Sequence, residues 1–106
     1  MVEGNVLIFA GGSTGGITTI EYEPGVVADL KRAVNSLAAP GLEYEHEKAW
    51  DDGNGHSHVQ AALMGPSIAL AVRNGSLKTG TWQQVVVINH DNRPRRRPVA
   101  VTLIGE

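Results

Sequence analysis

Hydrophobic positions fall along the chain in short blocks punctuated by glycine and proline. Val6-Leu7-Ile8-Phe9-Ala10 is a continuous apolar run, β-branched and aromatic, closed by Gly11-Gly12. That pattern predicts a buried strand. The glycine-rich stretch 11–16 reads as a flexible loop, and Ile17–Tyr22 returns to extended character. Pro24 suits the first turn of a helix, where its missing N–H is no loss. Val26, Val27, Leu30, Val34 and Leu37 then form one apolar stripe opposite Asp29, Lys31, Arg32 and Asn35, the signature of an amphipathic helix. Pro40-Gly41 ends it.

Residues 42–58 look different, with five of the chain's acidic side chains and three of its four histidines between Glu45 and His58 or just before. Ala61–Met64 continues a short helix that starts near His56 or Ser57 and stops at Gly65-Pro66. Ser67–Arg73 alternates as a strand, and Asn74-Gly75 is a strong hairpin signal. Gln83–Asn89 and Pro98–Ile104 read as two further strands joined by a turn at Asp91-Asn92-Arg93-Pro94. The expected class is α+β, a sandwich of mixed or antiparallel sheet with one main helix and a short second one. The first strand begins close to Met1. A buried strand wants neighbours on both sides, so one is expected from another subunit or from an amino-terminal piece that relatives carry.

The length of 106 residues, 42% hydrophobic and 19% charged, fits a single domain over 1–106. No apolar run approaches the ~20 residues of a membrane-spanning helix. No amino-terminal stretch has the pattern of a secretion signal, and the cytoplasm is the expected compartment. Without cysteine, any metal must be held by His, Asp, Glu or water. A formal net charge of −2 is not that of a polycation seeking nucleic acid, and 5% aromatic content is poor for stacking bases. The charge is uneven, however. Residues 1–72 carry nine acids and three bases, whereas residues 73–106 carry two acids and six bases. Such asymmetry points to an anion site, or to segments that pair within the fold or across a subunit interface.

The chemistry is expected in Asp51-Asp52-Gly53-Asn54-Gly55-His56-Ser57-His58. Glycines at 53 and 55 let the backbone turn and aim successive N–H groups into one concavity at a helix start, a setting that favours phosphate or carboxylate. A plain turn with Ser57 as N-cap is the alternative. His56 and His58 point to the same side if the segment is extended and about 200° apart if it is regular helix. A shared ion therefore requires His56 to precede the helix. His46, Asp51 and Asp52 supply further ligands or orienting groups. Trp82, after Gly80-Thr81, reads either as packing or as the wall of an aromatic ligand site. Of the arginine run, Arg95 and Arg97 share one side and Arg96 the other, as a solvated edge first and a phosphate site second.

Tyr44-Glu45-His46, Trp50-Asp51-Asp52-Gly53-Asn54-Gly55-His56-Ser57-His58, Gly65-Pro66-Ser67, Gly80-Thr81-Trp82-Gln83-Gln84, Asn92–Arg97 and Ile104-Gly105-Glu106 occur in this order. Together they resemble the YjbQ-like family, to which a secondary thiamine-phosphate synthase activity is attached. The resemblance implies a small α+β homotrimer with a histidine-lined pocket holding a divalent metal, Mg²⁺ or Zn²⁺. The implied reaction joins a pyrimidine pyrophosphate to a thiazole phosphate with release of pyrophosphate. A non-catalytic trimer that binds a phosphorylated metabolite or a metal is the alternative. Nucleic acid and membrane are not expected as partners. On this resemblance His56, His58, Asp52 and Glu21 are the expected catalytic residues. Ser13, Thr14, Asn54, Gly55, Trp82 and Arg95 are the expected substrate and phosphate contacts, and His46, His56 and His58 the metal ligands. One departure stands out. Family members carry His-Thr-Thr after the first strand, where this chain has Gly12-Ser13-Thr14.

Overall fold

In the computed structural model, which describes all 106 residues, the first strand, β1 (Gly4–Ala10), is buried on one face only. Val6 and Ala10 are enclosed, whereas Leu7 and Phe9 are more than two-fifths exposed. The apolar run thus sits on a sheet with one open face, not inside a two-sided core. Both neighbours of β1 come from this chain, which corrects the expectation of a neighbour from elsewhere. β3 (Ser67–Arg73) pairs along one side and β6 (Val99–Gly105) along the other, both antiparallel. With β4 (Ser76–Leu77) at the edge, the order is β4-β3-β1-β6. Asn74, at φ 53°, and Gly75, at φ 76°, turn the β3–β4 hairpin, the positive-φ pair that a tight hairpin needs.

A second antiparallel pair joins β2 (Gly15–Ile20) to β5 (Gln84–Asn89), with Gly16 opposite Ile88 and Thr18 opposite Val86. The Gly65-Pro66 corner ties the two sheets, since the Pro66 carbonyl accepts from Ala10 N–H and that of Gly65 from Ile17 N–H. The fold is α+β with antiparallel sheets and few helices.

Helix α1 (Pro24–Leu37) starts as expected at Pro24, and Glu23 caps it by accepting from the N–H groups of Gly25 and Val26. None of its residues is fully buried. Helix α2 (Glu45–Trp50) was not expected, and α3 (Gly55–Met64) begins one residue before His56. Gln60 of α3 locks α1 in place, donating to Asn35 Oδ1 and to the Ala38 carbonyl, each at 2.9 Å. No helix is long and apolar enough to cross a membrane.

The apolar core is small: Val6, Ala10, Ile17, Ala38, Ala61 and Val72. The radius of gyration is 15.9 Å, against ~13 Å for a compact domain of this length. Every residue of β6 is exposed, including Val101, Leu103 and Ile104.

Candidate functional site

Three segments meet around the loop between α2 and α3. Gly53, at φ 74°, turns the chain back, and Gly55 lets Tyr44 lie against the backbone where any Cβ would collide. The concavity of amides is present, but the chain fills it itself. Glu47 of α2 accepts from Gly53 N–H at 2.7 Å and from Gly55 N–H at 2.9 Å, and Asp52 accepts from Asn54 N–H at 3.0 Å. A phosphate cradle at Asn54 and Gly55 is therefore corrected to an internal carboxylate latch. These bonds, with Tyr44 packed on Gly55, explain why helix begins at residue 55.

That early start separates His56 from His58. Both lie on regular helix, where two-residue spacing turns the rings about 200° apart, and His56 drops out of the metal set. His58 instead approaches His46 of α2, with ring centroids 4.5 Å apart. His46 Nε2 lies 3.0 Å from Asp52 Oδ1, and one ligand atom from each of His46, Asp52 and His58 lies within 4.8 Å of the others. His58 Nδ1 donates to the Ser13 carbonyl at 3.2 Å. The proton is thereby placed on Nδ1 and Nε2 is left as the ligating nitrogen, the orienting bond typical of metal-binding histidines. Two imidazole nitrogens and a carboxylate oxygen suit a divalent transition metal with an open coordination position. Hydrogen bonding from Asn54 N–H, and then the neighbouring His46, holds the Asp52 carboxyl below the usual range, so it is anionic at neutral pH, as a ligand must be.

Beside this cluster lies a network centred on Asp91, a residue the sequence had placed merely in a turn. Its side chain is 2% exposed. It accepts from Thr14 Oγ1 at 3.0 Å, Asn54 Nδ2 at 3.2 Å, Arg93 N–H at 3.2 Å and Arg95 Nε at 2.9 Å. Burial alone would raise its pKa, but the bonds from Arg95, Thr14, Asn54 and Arg93 prevail and lower it to about 2. Arg95 is thus committed to Asp91. Arg97 pairs with no carboxylate and bonds Thr14 Oγ1 and Asn89 Oδ1. Its Nη1 lies 3.0 Å from where a Cβ on Gly12 would stand, so a histidine at position 12 would require this guanidinium to move.

The remaining expected residues do not converge. Trp82 is 72% exposed in the turn before β5, and the exposed Glu21, just after β2, makes no side-chain hydrogen bond or ion pair. His90, missed from the sequence, is 6% exposed, with Nδ1 2.9 Å from Gln60 Oε1. The Asp91-to-arginine proximity was the sequence signal that could have drawn attention to this turn.

A family model described as UPF0047 protein YjbQ-like matches residues 1–106. The chain belongs to this YjbQ-like family. It is 32% identical over 99 residues to a UPF0047 protein of Archaeoglobus fulgidus, covering 93% of this chain and 76% of the relative. It is 31% identical over 107 residues to the UPF0047 protein YugU of Bacillus subtilis, covering 99% and 77%. Among solved structures, a protein of unknown function from Sulfolobus solfataricus P2 superposes with a TM-score of 0.92 at 29% identity, covering all of this chain and 75% of the other. A YjbQ/UPF0047 protein from Clostridium acetobutylicum gives 0.86 at 32% identity, covering 98% and 78%. These names describe a family without a stated activity.

Proposed function

We propose that this YjbQ-like protein binds a divalent metal ion through His46, Asp52 and His58 and uses it to hold a phosphorylated small molecule. The observation that carries this reading is the gathering of ligand atoms from His46, Asp52 and His58 within 4.8 Å of one another, with the His58 Nδ1–Ser13 carbonyl bond leaving Nε2 as the unprotonated ring nitrogen. A bound divalent ion would supply positive charge against a phosphate or pyrophosphate group. The chain's own residues do the positioning. Ser13 fixes the His58 ring, the Asn54 amide keeps Asp52 ionised, and Arg97 brings an uncompensated positive charge to the adjoining residue, Thr14.

The finer reading is the reaction that the family resemblance implies, joining a pyrimidine pyrophosphate to a thiazole phosphate. The alternative is binding without turnover, and one feature favours it: Glu47 already occupies the Gly53 and Gly55 amides that would otherwise stabilise a leaving pyrophosphate. Calorimetric titration with Zn²⁺ and with Mg²⁺, followed by a turnover assay with the two thiamine precursors, separates these readings. Metal binding with product formation supports the synthase, and metal binding without product supports the binder. Absence of metal binding ends both. We further propose that the chain assembles as a homotrimer, a reading supported by its exposed β6 and elongated shape.

A further inference from the structure

The loop that follows β1 meets the segment that precedes β6. In the β1–β6 ladder Ala10 stands opposite Val99, and two more steps along the same register lead to Gly12 and Arg97. In the β2–β5 ladder Gly15 stands opposite Asn89. Arg97 joins the two sheet ends, since its Nη2 donates to Thr14 Oγ1 at 2.7 Å and to Asn89 Oδ1. Glycines make room for it. A Cβ at Gly15 would stand 3.1 Å from the guanidinium carbon, and one at Gly12 would stand 3.0 Å from Nη1.

The nitrogens of this guanidinium differ in what they can still receive. Nη2 is committed to the chain. Nε has no partner but is enclosed, out of reach of a ligand. Nη1 makes no hydrogen bond and keeps accessible surface, and it lies at Gly12. Its charge is not cancelled nearby. Thr14 gives its hydroxyl hydrogen to Asp91 and turns only a lone pair to Arg97. Asp91 is enclosed and already paired with Arg95, so one buried carboxylate stands against two guanidiniums and the surplus positive charge emerges at Nη1. Beside it, the backbone N–H groups of Gly11, Gly12, Ser13 and Thr14 donate to no carbonyl of the chain, and Gly12 has φ 111°. Successive free amides around a left-handed residue form a concavity suited to anions.

We propose that Arg97 Nη1 and the amides of the Gly11–Thr14 loop bind the phosphoryl oxygens of a phosphorylated small molecule, in a subsite that needs no metal. This rests on the reading of a phosphorylated ligand given above and supplies its second anchor. Ser13 holds His58 through its carbonyl, which sets the subsite next to the metal side chains. Phosphate suits the corner better than carboxylate, because its three terminal oxygens can accept from the guanidinium and from several amides at once.

The test is amide NMR of the whole metal-free protein titrated with inorganic phosphate, and with acetate at matched ionic strength. Phosphate is expected to shift the Gly11–Thr14 amides and to bind about tenfold more tightly than acetate. Arg97→Gln is expected to weaken phosphate binding about tenfold or more, and Arg96→Gln to leave it unchanged within about twofold. Should Arg97→Gln fail to fold, the guanidinium nitrogen resonances of Arg97 in the parent protein serve instead, and phosphate is expected to shift them. Acetate binding as tight as phosphate, equal losses in the two arginine variants, shifts confined to residues outside the loop, or unmoved Arg97 nitrogens overturns the proposal. The titration is then repeated with Zn²⁺. Phosphate that binds only once Zn²⁺ is present overturns this subsite and supports the metal reading. Phosphate that binds the metal-free protein in the expected way, with no binding of Zn²⁺, supports the subsite and overturns the metal reading.

Discussion

His58 reaches the Ser13 carbonyl with Nδ1, at 3.2 Å, and this bond puts the ring proton on Nδ1 and leaves Nε2 as the nitrogen able to ligate beside His46 and Asp52. A loop after the first strand thereby orients a side chain on α3. If the three side chains act together, His46→Ala, His58→Ala and Asp52→Asn each weaken Zn²⁺ binding at least ~100-fold, whereas His56→Ala leaves it unchanged within a few-fold. Calorimetry on the four variants reads this directly. Equal losses in the His46 and His56 variants would count against the assignment.

The Glu47 latch is expected to be structural. Glu47→Ala leaves the Gly53 and Gly55 amides without their carboxylate and costs about 1–3 kcal/mol. Thermal melting should show a lowered Tm, and added phosphate should recover part of the loss by occupying the freed amides. A variant as stable as the parent contradicts this role.

Asp91 makes stability sensitive to acid. Its pKa is held at about 2 in the fold, below the ~3.9 of an unfolded chain. Its contribution is therefore present above about pH 4 and is lost as pH falls toward 2. Asp91→Asn places an amide against the donors Thr14, Asn54 and Arg95 and is expected to cost about 2–4 kcal/mol at pH 7. Denaturant midpoints at pH 7, 4 and 2.5 check both statements, and the difference between parent and variant should narrow at the lowest pH.

His90 acts in a milder range. Burial and the nearby positive charges lower its pKa from 6.5, so the folded form binds the proton less readily than the unfolded chain. Its contribution is complete above the unfolded value of ~6.5 and declines as pH falls below it. The Tm of the parent should drop between pH 7.5 and 5, and His90→Phe should flatten that slope. An unchanged slope in the variant would assign the acid sensitivity elsewhere.

Self-association is expected to depend on β6. Light scattering should give a mass near three times the 11.3 kDa of one chain, and Leu103→Asp, on the exposed strand, should reduce it. A monomer in the parent protein contradicts the trimer.

Strong local punctuation made much of this fold legible. Gly65-Pro66 and Asn74-Gly75 bracket β3, whose limits match the alternation of Ser67–Arg73, and Pro24 opens α1 where expected. Helix α2 escaped because six residues carrying Ala49 and Trp50 as their only apolar side chains show no usable periodicity, and its Glu47 bonds bridge to a later loop. The same bonds explain the misplaced His56. From spacing alone, His56 and His58 converge on an extended chain and diverge on a helix, and the choice rested on Tyr44 packing against Gly55 and on a carboxylate eight residues earlier. Asp91 and His90 stayed hidden because their partners, Thr14, Asn54 and Gln60, lie far away in sequence. His46 and Asp52 were legible as residue types, but their pairing with His58 needed the turn at Gly53.

The most direct measurement is an anomalous-difference map at the zinc edge from crystals of the protein grown with Zn²⁺. The account predicts one strong peak bonded to His46, Asp52 and His58 Nε2 at ~2.0–2.2 Å. No peak among these three side chains, or a sole peak on His56 or His90, would contradict it.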